Sequence, residues 1–132
     1  MSQDKSEVVR RALDAMGRGD VQALVDQVDE NFELNPMVSV WPRTYSGTAG
    51  IEQWWRDLGE LWDEFSMQAE DLRVLDEETL LALLTWRGRA KGTATEVEGP
   101  AAAVVRFRGD KVLSANFYLD EARALQAVEA GS

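Results

Sequence analysis

The sequence predicts an α+β fold, with helices packed on one face of an antiparallel sheet. Three observations lead there. Apolar residues recur at spacings of three and four through the first half, the period drops to two after Phe65, and short polar turns punctuate the second half. At 132 residues the chain has the size of one domain, taken as 1–132, and no repeat or linker divides it.

The first helix is expected over Ser2–Met16, where Val9, Ala12, Leu13 and Met16 form a stripe, and "GRGD" at Gly17–Asp20 ends it. Asp20 is placed to cap a second helix whose stripe is Val21, Leu24, Val25 and Val28. A short extended piece, Phe32–Asn35, follows. Two prolines and a glycine make "PMVSVWPRTYSG" irregular. In the third helix, "GTAGIEQWWRDLGELWDEF", Ile51, Trp54, Trp55, Leu58, Leu61, Trp62 and Phe65 share a face, with Thr48 as the expected cap. Gln53, Arg56, Asp57, Glu60 and Asp63 fall mostly on the other face.

Four strands of a meander come next. "FSMQAEDLRVL" and "TLLALLTWRGRAKG" flank an acidic turn, "TATEVE" is expected to extend the second strand past a kink at Lys91–Gly92, and Gly99–Pro100 to turn into "AAAVVRFRG". "KVLSANFYL" is the last. The apolar alternation slips between Ala69 and Leu72, which predicts a bulge. Asp120 opens a short terminal helix reaching Val128.

Lys plus Arg number 14 against 24 Asp plus Glu, a net charge of -10, so nucleic acid and anionic membrane surfaces are poor partners. The chain has no cysteine and no histidine. That removes thiolate nucleophiles, imidazole bases and His-coordinated metals, leaving carboxylates, Tyr, Lys, Ser and Thr for any chemistry. No metal and no cofactor is expected. No apolar run approaches the roughly 20 residues of a membrane span, and the expected location is cytoplasmic.

The series "ALDAMGRGDVQALVDQVDENFEL", "YSGTAGIEQWW" and "GDKVLSANFYLDEARALQAVEAG" resembles the SnoaL-like branch of the nuclear-transport-factor-two-like superfamily, over nearly the whole chain from Val8 to Gly131. The resemblance implies a strongly curved sheet wrapped around the helices, leaving a conical pocket with the third helix as one wall. Trp54 and Trp55 then stand where ketosteroid isomerase has a pair of aromatic residues, the first lining the pocket, while Leu58 and Trp62 would be core. The isomerase's base position falls on Asn35, its tyrosine on Ala12 and its protonated acid on Ala103, so the resemblance argues against that chemistry. Of the limonene epoxide hydrolase pattern only Arg87 matches, with Arg89 and Phe117 where acids would stand. The cyclases' late acid/base aspartate points to Asp120, although an aspartate that opens a helix is far more often a cap than a catalyst, and their pocket histidine has no counterpart.

Arg87 and Arg89 share one face of a strand and Trp86 the other, so either the arginines or Trp86 enter the pocket, not both. Inward arginines would orient a ligand carboxylate or enolate. Trp41 and Tyr45, in the irregular segment, border the entrance of the family's cone. On the last strand Ala115, Phe117 and Leu119 match the pocket-lining positions. The expected binding set is Trp54, Trp55, Trp41, Tyr45, Asn35, Arg87, Arg89, Ala103, Val105, Phe117 and Leu119. The partners it implies are a small hydrophobic molecule and a second copy of the chain, paired through the outer sheet face. The alternative is a non-catalytic dimerisation or interaction domain with a filled pocket.

Overall fold

The computed structural model of the chain describes residues 4–36 and 44–130. Its elements run α1 (Lys5–Arg18), α2 (Val21–Val25), β1 (Val28–Asn35), β2 (Tyr45–Ser46), α3 (Gly47–Leu61), β3 (Trp62–Val74), β4 (Thr79–Ala90), β5 (Glu96–Arg108), β6 (Lys111–Tyr118) and α4 (Glu121–Glu129). The six strands form one curved, unclosed sheet in the order β2-β1-β6-β5-β4-β3. β3 to β6 make the expected antiparallel meander, and β1 adds to β6 in parallel. The α+β expectation holds.

Helix ends follow capping chemistry. The Asp4 carboxylate accepts from the Ser6 N–H, and Asp20 accepts from the Ala23 N–H at 3.0 Å, as expected for the start of α2. α1 runs on through Gly17 because the left-handed turn that ends a helix comes only at Gly19, at φ 71°. α2 stops at Val25, so Val28 begins β1 instead of continuing a helical stripe. At α3 the cap position is Ser46 rather than Thr48, and its side chain makes no capping bond. Gly50 allows the helix to lie close on β2, since a Cβ there would stand 2.7 Å from the Tyr45 carbonyl carbon.

α3 ends four residues before Phe65. Trp62 is already extended and pairs with Ala90, so strand pairing takes over where the apolar stripe alone would continue the helix. Leu61, expected on that stripe, is 52% exposed. The expected bulge in β3 is present: Ala69 pairs with Leu84 and Asp71 with Leu83, leaving Glu70 as the extra residue. The turn expected at Gly99–Pro100 is absent. β5 begins at Glu96 and runs straight through both residues, and the chain reverses at Lys91–Gly92. Pro100 is tolerated there because β6 joins β5 only from Ala102, so β5 has an open side at which a missing N–H costs nothing.

Alternation then sets the two faces. Leu80, Ala82 and Leu84 of β4 and Ala103, Val105 and Phe107 of β5 face α1 and α3 in the main core, with Val8, Ile51 and Trp54 against them. Ile51 is fully buried, which contributes roughly 1.5–3 kcal/mol. On the opposite face Leu81, Ala102, Val104 and Tyr118 pack with Ala124 of α4. The outer face is therefore partly covered by the chain's own last helix.

Candidate functional site

Between α3 and the open end of the sheet lies a cavity of about 440 Å³. α3 contributes Trp54, Asp57, Leu58, Glu60 and Leu61, because positions three and four apart face the same way. The sheet contributes Trp62, Phe65 and Met67 from β3, Trp86 from β4, Ala101 from β5 and Phe117 from β6; Tyr118, which packs on the outer face, also borders the space. Pro36 and Tyr45 complete the lining.

Three rings form the β3–β4 wall. Trp62 lies 5.8 Å, centroid to centroid, from both Phe65 and Trp86, while Phe65 and Trp86 are near parallel at 14° and 6.4 Å. Glycines make room for the indoles. A Cβ at Gly88 would stand 2.7 Å from the Trp62 ring, and one at Gly99 would stand 3.0 Å from Trp86 Nε1.

Among the described residues, the exposed Glu60 and a hydrogen-bonded cluster around Asp57 interrupt the apolar lining. The buried Tyr45 hydroxyl donates to Asp57 Oδ2 at 2.5 Å, and Gln53 Nε2 donates to Asp57 Oδ1 at 2.8 Å. Gln53 Oε1 accepts in turn from Arg56 Nη2, which orients the Gln53 amide. Both carboxylate oxygens thus accept, the arrangement that suits an ionised acid.

A second void, of about 80 Å³, lies deeper, and the described residues that line it are all apolar, among them Leu13, Leu34, Ala82, Ala103, Val105 and Ala115. Trp54 and Phe117 border both spaces.

The residues expected at the site divide. Tyr45, Trp54 and Phe117 line the main cavity, and Ala103 and Val105 the deep void. Trp55 turns its edge to Trp54 and faces a separate groove beside the end of α1, reaching Gly19. Trp41 lies outside the described residues. Asn35 is on the outer face, where it donates to Asn116 and accepts from Thr44. Leu119 follows the end of β6, where the alternation has stopped, and is 38% exposed.

Trp86 points inward, so the arginine pair points out. Arg87 bonds Glu98 and lies near Glu96, and Arg89 bonds Glu64. Glu98 is the main reason the Arg87 guanidinium is held above its usual range. These cations serve acids on neighbouring strands and do not enter the cavity. Asp120 caps α4, accepting from the Arg123 N–H at 2.9 Å, and is not among the cavity-lining residues. Leu58 and Trp62, expected in the core, are half-buried cavity walls.

Asp57, Phe65 and Trp86 were not among the expected binding residues. For Asp57 the signal was the series Trp54, Asp57, Leu58, Leu61, which shares one helical face despite the charge. Among the described residues no group of three or more acids is placed to hold a metal ion, and no helix is long and apolar enough to cross a membrane.

A curved sheet folded over helices with an apolar cavity between them is the nuclear-transport-factor-two-like architecture. The chain belongs to the SnoaL-like domain family, whose model matches residues 9–115. In structure it is similar to a hypothetical protein with a ketosteroid isomerase-like fold from Catenulispora acidiphila, solved in complex with trimethylamine, with TM-score 0.77, 17% identity, and 87% and 86% of the two chains covered. It is also similar to a nuclear-transport-factor-two-like protein from Burkholderia thailandensis, with TM-score 0.77, 22% identity, and 96% and 98% covered. A third similar structure is TerC co-crystallised with polyporic acid, with TM-score 0.77, 11% identity, and 95% and 98% covered. At these identities the likeness is one of fold. Among curated proteins, none matches the chain in sequence.

Proposed function

We propose that the chain binds a small, largely apolar molecule in the 440 Å³ cavity, with one polar group of that molecule at the Tyr45–Asp57 pair. One observation carries this reading: an open aromatic-walled space with a hydrogen-bonded cluster of polar groups at Asp57 is the general form of a small-molecule site. Support comes from the two relatives of the same fold solved with trimethylamine and polyporic acid. The open volume weighs against the alternative of a dimerisation domain with a filled pocket.

A second reading, turnover of the bound molecule, is favoured by the same pair. Asp57 lines the cavity and is fixed by hydrogen bonds, and a carboxylate positioned within reach of a bound ligand can act as a general base. For assembly we propose the homodimer expected from the sequence, limited to the part of the outer face that α4 leaves uncovered.

Tryptophan emission and melting temperature, followed together during titration with steroids, terpenoids and aromatic polyketides, test binding. A ligand at a hundred times its Kd stabilises by about 2.7 kcal/mol, on the order of 10 °C for a chain of this size. Tyr45→Phe should weaken that ligand while leaving the fold intact. Silence across the panel from a cooperatively melting protein would return the weight to the filled-pocket alternative. Turnover that survives Asp57→Asn would remove Asp57 as the base.

A further inference from the structure

We propose that the deep 80 Å³ void is a compartment for the aliphatic end of the ligand, so that the ligand is a two-part molecule. Its head occupies the main cavity and a short alkyl or isoprenyl tail enters the void. The inference rests on the small-molecule reading above and adds the chemical class.

The lining of the void is the first argument. The described residues that line it are all apolar, and a void of that kind stays dry, so its natural occupant is hydrocarbon. The second argument is how the void arises. Ala82 and Ala103 face each other across β4 and β5, and Ala115 pairs with Val105 on the neighbouring ladder. Flanking positions on the same face carry Leu80, Leu84 and Phe107, so the floor is recessed where methyl groups replace larger side chains. One larger residue would close a space that close-packed cores do not normally leave open.

Continuity with the main cavity is the third. Trp54 and Phe117 line both spaces, so side chains alone separate them. Trp54 is 6% exposed and wedged in the core, whereas Phe117 is only half-buried. Phe117 is therefore the side chain that gives way to an entering tail.

A homologous series of 4-alkylphenols, from phenol to 4-hexylphenol, separates the compartments. Phenol fits the main cavity alone, and each methylene buried in the void should raise affinity about fourfold until the space is full. Titrations followed by tryptophan emission should show that climb and its plateau. Ala103→Val fills the floor, so it should keep phenol affinity and flatten the climb. Ala115→Val should do the same from β6 and carries the test if the first variant fails to fold. A climb unchanged in both variants, or a flat series with phenol bound, overturns the compartment and leaves the main cavity standing. If neither phenol nor any longer member binds, the small-molecule reading falls and the compartment with it.

Discussion

Replacing Gly99 by alanine tests whether the cavity wall is shaped by what lies beneath the indoles. A methyl group at Gly99 would stand 3.0, 3.2 and 3.3 Å from Nε1, Cε2 and Cζ2 of Trp86, inside the 3.4–4 Å of ordinary contact. Backbone lies on one side, so the indole must lift by several tenths of an ångström toward the cavity. Overpacking of this kind costs roughly 1–3 kcal/mol, while the loss of glycine's unfolded-state freedom returns roughly 0.5–1. The net destabilisation is about 1 kcal/mol, which lowers the melting temperature by about 3–6 °C. Gly88→Ala should cost more, since its Cβ would meet Trp62 at 2.7 Å and the Glu64 carbonyl oxygen at 3.3 Å. Near-ultraviolet circular dichroism reads the result directly, because Trp62 and Trp86 lie 5.8 Å apart and moving one alters their coupling. Adding Trp86→Phe to the Gly99→Ala variant should restore much of the lost stability. A Gly99→Ala protein with the native spectrum and an unchanged or raised melting temperature would refute the reasoning.

Asp120→Ala removes the α4 cap and should cost about 1 kcal/mol in thermal melts without changing ligand affinity, whereas loss of affinity at unchanged stability would make Asp120 part of the site. Asp76 is held below its ordinary pKa of 3.8, chiefly by the hydrogen bond from the Glu78 N–H. An acid depressed by folding stabilises the fold above its unfolded pKa and loses that contribution as pH falls through the folded value. Asp76→Ala should therefore lower the melting temperature at neutral pH, with the difference closing below pH 3.8. Arg87→Gln should leave both ligand affinity and melting temperature nearly unchanged, because Arg87 and Glu98 are 53% and 57% exposed and water screens their attraction; a large loss of affinity would place the arginine at the site.

Local chemistry that a few neighbouring residues complete was legible in the sequence. Asp20 and Asp120 cap the helices they precede, and the slip between Ala69 and Leu72 is the bulge at Glu70. The opposition of Trp86 to Arg87 and Arg89 followed from strand alternation alone. What escaped depends on partners far away in the chain. α3 yields to β3 at Trp62 because Ala90, 28 residues on, offers a pairing that periodicity does not reveal. Gly99–Pro100 reads as a turn until one knows that β6 stops short of it. Asp57 reads as a solvated face because the phenol that holds it comes from Tyr45, in a segment with no period to follow.

Glu70 carries a consequence of another kind. Upstream of it β3 walls the cavity through Phe65 and Met67; downstream, Arg73 reaches Glu121 on α4. The exposed side chain at this position touches neither end, so many amino acids would serve there. Removing the position altogether would leave every later side chain on its present face but straighten the strand, pulling the ligand chamber and the outer helix out of alignment together. Shape is written here in the number of residues rather than in their identity, and a deletion would do what no substitution at the same place can.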